Sequence, residues 1–123
     1  MVLLVDDDAA IRGMITAVLR RDGITCDEAE NGDEAIRKLR RGHYRSVLLD
    51  LMLPECNGFE VLRFLKAEKP SMLRRVIVLT AASEATLRHF HDQQEVFDLL
   101  RKPFDIESLR EKVSACRRQQ LEQ

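Results

Sequence analysis

A chain of 123 residues has the size of one domain and buries roughly 70% of the surface its unfolded form exposes. Its 20 basic residues nearly balance its 21 acidic ones, so no net positive field draws this segment to nucleic acid. Cys26, Cys56 and Cys116 are widely spaced and odd in number, suggesting free thiols in a reducing cytosol rather than a disulfide framework or zinc site.

The first apolar run, Val2-Leu3-Leu4-Val5, lacks alternation, as strands buried on both faces of a parallel sheet do. Ile11, Met14, Ile15, Val18 and Leu19 then follow the spacing of one buried helix face, with Asp7 or Asp8 as N-cap. Ile24-Thr25-Cys26, flanked by charge, predicts an edge strand. Ala35, Ile36 and Leu39 mark a second helix, capped by Asn31 or Asp33 and stopped at Gly42. Val47-Leu48-Leu49 predicts the third strand; Phe59, Leu62 and Leu65 predict the third helix, ended by Pro70. Val76-Ile77-Val78-Leu79 is the fourth strand, and Ser83, Leu87 and Phe90 indicate the cap and poorer stripe of a fourth helix. Leu99-Leu100 is the fifth strand, followed by a helix capped at Asp105 with Ile106, Leu109, Val113 and Cys116 on one face. The order is (βα)5, an α/β chain of parallel strands joined by right-handed crossovers. No apolar run approaches the ~18 residues of a membrane span, and no charged-then-apolar leader is present, so a soluble cytoplasmic protein is expected.

The chemistry follows the strands. The first run ends in Asp6-Asp7-Asp8, the third in Asp50, the fourth in Thr80 and the fifth in Lys102-Pro103. Ligands of open α/β sheets bind outside the carboxyl ends of the strands, where strand order reverses. In the order 2-1-3-4-5 that point lies between the first and third strands, where these acids face one another. Strands are about 4.8 Å apart, so short Thr80 lies one spacing from Asp50, and only a long side chain such as Lys102 spans two. Two carboxylates ~4 Å apart repel by about 4 kcal/mol at an effective dielectric near 20. A hard divalent cation relieves that repulsion, and Mg²⁺ takes carboxylates, waters and phosphate oxygens. It would orient a phosphoryl group for attack by Asp50, yielding an aspartyl phosphate whose oxygens Thr80 and Lys102 bind. Each feature alone reads as a helix cap or a solvated strand end. Four at the same edge of one sheet are harder to dismiss.

With these residues in this order, the sequence resembles the receiver domains of two-component response regulators, of the CheY-like superfamily. The resemblance rests on V-D-D-D at Val5 to Asp8, L-D-L-M-L-P at Leu49 to Pro54 with Gly58, V-L-T-A at Val78 to Ala81, and K-P-F at Lys102 to Phe104. It implies that residues 1–123 form one receiver domain, a flavodoxin-like three-layer sandwich with a parallel sheet of order 2-1-3-4-5. It further implies Asp50 as phosphoacceptor from a sensor histidine kinase or phosphotransfer protein, and Mg²⁺ as cofactor. Asp7 and Asp50 would be direct metal ligands, Asp6 would act mostly through water, and the Met52 carbonyl would be the third protein ligand. A cis Lys102–Pro103 bond and homodimerisation through the last strand and helices are also family expectations.

Three positions depart from the family pattern. Leu99 replaces the usual aromatic switch residue, and strand parity would put Phe97 on the same face. Glu95-Val96 stands where a Gly-Ala pair commonly ends the fourth helix. Met52 and Ala82 are apolar where they flank the phosphoryl group, so slow self-dephosphorylation is expected. Two other functions compete: a receiver-like interaction module with impaired phospho-switching, and a haloacid dehalogenase-type phosphatase. The second lacks its general acid, because Met52 occupies the position two residues after the nucleophile. An FMN carrier would need a Ser/Thr/Gly-rich loop after the first strand. Arg110, Lys112, Arg117 and Arg118 read as a solvated face of the last helix.

Overall fold

A computed structural model describes residues 1–53, 57–81 and 95–121. Five parallel strands, β1 (Val2–Val5), β2 (Cys26–Ala29), β3 (Ser46–Asp50), β4 (Val76–Thr80) and β5 (Asp98–Arg101), form one sheet of order β2-β1-β3-β4-β5. Among the described residues the helices are α1 (Ala9–Arg21), α2 (Gly32–Arg41), α3 (Gly58–Glu68), the four-residue α4 (Pro70–Leu73) and α5 (Ile106–Leu121). Alternate strand residues face opposite ways. Leu3, Val5, Val47, Leu49, Val76 and Val78 pack with α2, α3 and α4, while Val2, Leu4, Leu48, Ile77 and Leu79 pack with α1 and α5. This is the expected flavodoxin-like three-layer sandwich.

The expected caps hold at Asp8, Asn31 and Asp105: Asp8 Oδ1 accepts from Ala10 N–H at 2.9 Å, Asn31 from Glu34 N–H at 2.8 Å, and Asp105 from Glu107 N–H at 3.0 Å. The edge strand is displaced from its expected place. Ile24-Thr25 precede it, and β2 is the more charged Cys26–Ala29. Ile24 is spent on stopping α1: its N–H donates to Leu19 O, that of Gly23 (φ 77°) to Arg20 O. This is a Schellman stop, whose hydrophobic partner is Ile24 packed in the cluster of Leu19.

Two residues of the expected stripes face solvent: Met14 is 47% exposed and Phe59 41% exposed. The core face of α3 is instead Val61, Leu62, Phe64 and Leu65. Parity also fails at Phe97. It lies at a bend before β5 and packs on the α1/α5 side, whereas Leu99 packs on the α2/α3 side. Period-two alternation holds only for extended backbone, and β5 starts at Asp98. Ser83, Leu87, Phe90, Ala82, Pro54 and Cys56 fall outside the described residues; Cys26 and Cys116 remain thiols, that of Cys116 donating to Arg75 O at 3.7 Å.

β2 bonds β1 through residues 25 and 29 (Val2 N–H to Thr25 O, 2.9 Å; Asp6 N–H to Ala29 O, 3.1 Å), which turns the backbone of Glu28 outward. That N–H donates to Asp27 Oδ1 at 2.9 Å, and that carbonyl accepts from Lys38 Nζ. Asp27 is held in turn by the Tyr44 hydroxyl at 2.7 Å and by Lys38 at 2.9 Å. Charged side chains therefore close this stretch of the edge to a further strand.

Candidate functional site

The register brings the strand ends together: Val5 is opposite Leu49, Asp50 opposite Leu79, and Thr80 opposite Arg101. Asp6, Asp50 and Thr80 are buried at this end of the sheet, with relative exposures of 0%, 4% and 1%. Burying charge is costly unless it is paired, and most of the pairing here comes from β5. Lys102 Nζ lies 2.9 Å from Asp6 Oδ2 and 3.0 Å from Asp50 Oδ2. The long lysine thus crosses two strand spacings, as its stem allows. The Lys102–Pro103 peptide is cis, as expected.

Each carboxylate also has a backbone donor. Asp50 Oδ1 accepts from the Met52 N–H at 2.9 Å, and Asp6 Oδ1 from the Asp8 N–H at 2.9 Å. Asp7 stands between them in sequence, with its side chain exposed to solvent. One oxygen from each of Asp6, Asp7 and Asp50 lies within 4.8 Å of the other two. Burial pushes the Asp50 carboxyl above the ordinary aspartate value, against the pull of the Met52 N–H and Lys102, and Asp6 adds to the rise. Burial works against the Lys102 ammonium, but Asp6 and Asp50 outweigh it and hold the lysine above its ordinary value.

The site therefore contains Asp6, Asp7, Asp50, Thr80 and Lys102 at one strand edge, as the sequence predicts. The carbonyl of Thr80 accepts the Lys102 N–H at 2.7 Å, which fixes the lysine backbone against β4. The Met52 side chain is 69% exposed. Gly58 is part of the frame: a Cβ there would lie 2.6 Å from both Asp50 O and Leu51 Cα, so only glycine lets α3 start against the end of β3.

Sequence reasoning missed Arg12. Its side chain is 14% exposed, and it donates from Nη1 to the Asp6 carbonyl at 2.6 Å and from Nε to Glu28 Oε1 at 3.0 Å. The available signal is an arginine one turn beyond an acid triplet, beside the apolar stripe of α1. Two basic residues of α5, expected on a solvated face, are instead engaged in ion pairs: Arg110 with Asp22 at 2.7 Å and Glu107 at 2.6 Å, and Lys112 with Asp98 at 2.7 Å.

Residues 2–114 match the model of the response regulator receiver domain. The transcriptional regulatory protein ResD of Bacillus subtilis is 38% identical over 95% of this chain and 48% of its own length. SrrA of Staphylococcus aureus is 35% identical over 95% of this chain and 47% of its own length. The chain thus spans about half the length of these curated relatives. Among solved structures, a Francisella response regulator receiver domain superposes with a TM-score of 0.88 at 28% identity, covering 97% of each chain. The response regulator TrrA of Thermotoga maritima, solved in complex with Mg²⁺-BeF, gives a TM-score of 0.78 at 32% identity, covering 94% of this chain and 96% of its own. With the family model matched over nearly the whole chain and an acid notch at the switch point of its five-stranded sheet, this chain belongs to the receiver domains of two-component response regulators.

Proposed function

We propose that this chain, as one receiver unit over residues 1–123, accepts a phosphoryl group on the Asp50 carboxylate from a phosphohistidine of a sensor kinase or phosphotransfer protein. An Asp50 oxygen forms the O–P bond as the donor P–N bond breaks, leaving the donor imidazole. The observation that carries this reading is the buried Asp50, flanked by two further acids and 3.0 Å from the Lys102 ammonium. A carboxylate kept at a strand end by a movable cation is a poised nucleophile.

The donor set fits Mg²⁺. Its candidate ligands are hard oxygens, one from each of Asp6, Asp7 and Asp50 within 4.8 Å of the others, and Mg²⁺ is held by one or two carboxylates together with waters. Asp7, Asp50 and the Met52 carbonyl would hold the ion directly, with Asp6 acting through water. When bound, the ion supplies charge neutralisation for the acids and for the incoming phosphoryl oxygens. Lys102, now bridging Asp6 and Asp50, would turn to the phosphoryl group as a point charge, and Thr80 would bind a second oxygen. The same Mg²⁺-BeF chemistry in the Thermotoga relative supports this assignment.

The chain acts on itself rather than turning over a separate substrate. Its relatives are transcriptional regulators of about twice its length or more, so its output lies in a partner or an attached segment, and it contacts no nucleic acid itself. Dimerisation through β5 and α5 is one route to that output. No helix among the described residues is long and apolar enough to cross a membrane, and Cys26 and Cys116, kept as thiols, suit the reducing cytoplasm.

Incubation with a small acyl phosphate and Mg²⁺, read by intact mass, tests the proposal. One hydroxylamine-sensitive phosphoryl adduct is expected, absent in Asp50→Asn; an adduct that survives the substitution places the acceptor elsewhere. The exposed Met52 side chain orients no attacking water, so the adduct decays slowly. A half-life of seconds contradicts that part.

A further inference from the structure

We propose that Arg12, braced by Glu28, is a positioning residue that sets the metal-binding geometry of the Asp6–Asp8 loop; this rests on the Mg²⁺ reading above. The guanidinium adds a side-chain link between the Asp6–Asp8 loop and the sheet edge, beside the Asp6 N–H bond to Ala29 O. Nη1 donates to the Asp6 carbonyl at 2.6 Å, and Nε donates to Glu28 Oε1, on the sheet-edge strand β2, at 3.0 Å.

The Asp6 carbonyl belongs to the peptide that joins Asp6 to Asp7. Fixing that oxygen fixes the peptide plane, because the peptide unit is rigid, and so restricts the direction in which the Asp7 side chain leaves the backbone. Asp7 needs such help: among the described residues no hydrogen bond holds its carboxylate, whereas Asp6 and Asp8 each have backbone donors. The far side of the loop is pinned already, since Asp8 caps α1 and its carbonyl accepts from Arg12 N–H at 3.0 Å. On the near side the Asp6 N–H and side chain are held elsewhere, and Arg12 supplies the constraint on the carbonyl.

Glu28 has two roles in the clamp. It orients the planar fork, which can serve both partners at once. It also offsets a positive charge that would otherwise oppose a cation at the adjacent acids. Outer contacts of this kind tune metal affinity without touching the ion.

Isothermal titration of the full chain with Mg²⁺ alone, together with metal-free thermal unfolding, tests the proposal. Arg12→Met is expected to weaken Mg²⁺ binding roughly tenfold, the lower end of the range for outer-contact substitutions, and Arg12→Lys, which reaches only one partner, by less. Glu28→Ala should weaken it too, but the double variant Arg12→Met/Glu28→Ala should bind no worse than Arg12→Met, because Glu28 acts through the guanidinium. Amide shifts of Asp7 and Asp8 in Mg²⁺ titrations should move with the affinity. A purely structural role lowers the melting temperature and leaves the affinity of folded protein unchanged, so wild-type affinity in Arg12→Met overturns the proposal. Should that variant not fold, Arg12→Lys decides on the same criterion. Losses that multiply in the double variant overturn the coupling to Glu28. A wild-type chain that binds no Mg²⁺ overturns the metal reading itself.

Discussion

Two clusters in this molecule are built from the same parts, aspartate and lysine, and behave in opposite ways. At the β2 edge, Asp27 meets both the Tyr44 hydroxyl and Lys38. Burial raises its carboxyl, but Tyr44 and Lys38 prevail, and the group lies below the ordinary aspartate value. At the switch point, Lys102 is divided between Asp6 and Asp50, both more deeply buried, and Asp50 lies above the ordinary value. One cluster is structural and partly open to water, its Lys38 shared with Glu34 at 3.4 Å. The other holds more negative charge than its lysine neutralises, and an unbalanced site is one that a cation or a phosphoryl group can change.

The largest effect should come from removing the cation of the unbalanced site. Lys102→Met leaves two buried carboxylates unpaired and should cost about 3 kcal/mol in metal-free denaturant unfolding, the low end for a broken buried pair, since Asp50 can escape by taking up a proton. A loss below that of Lys38→Met would remove the distinction between the clusters. At the edge, Tyr44→Phe removes a hydrogen bond to a charged group and should cost about 1.5 kcal/mol, with a melting point lower by several degrees. Asp50→Asn carries the opposite sign: it relieves a buried charge and should raise metal-free stability by on the order of 1 kcal/mol, while removing most of the stabilisation that Mg²⁺ gives the wild type. A metal-free Asp50→Asn chain that melts earlier than wild type contradicts the unbalanced reading.

The smallest effect sharpens the comparison through pH. Asp50, raised in the folded state, binds protons more readily folded than unfolded, so its contribution favours folding as pH falls from its raised value toward the unfolded value near 4. Asp27, lowered, stabilises the fold above that unfolded value and loses this contribution as pH falls through its depressed value. Metal-free stability measured against pH should therefore lose its first component in Asp50→Asn and its second in Asp27→Asn.

Strands with apolar cores were legible because burial on both faces leaves a short unbroken run, as in Val76–Leu79. The edge strand was legible as an edge but placed two residues early, because β2 is held by polar side chains and its apolar neighbour Ile24 serves the end of α1. Met14 and Phe59 fit a helical period but face solvent; spacing defines a stripe on a helix, while only docking decides which part of it meets the sheet. The acid notch was legible because strand order and side-chain length together limit who can reach whom. The tyrosine–aspartate–lysine cluster and the Arg12–Glu28 clamp were not, since each joins residues distant in sequence through side-chain geometry.

By itself the sequence determined the five parallel strands and the placing of Asp6, Asp7, Asp50, Thr80 and Lys102 after theirs, because hydrophobic run length and strand termini are local properties. Tertiary structure alone decided that Lys102 bridges two buried acids, that Phe97 and Leu99 part to opposite faces, and that Asp27 and Asp50 differ in acidity. Those outcomes depend on burial and on which charges come within a few ångströms, and both are properties of the folded whole.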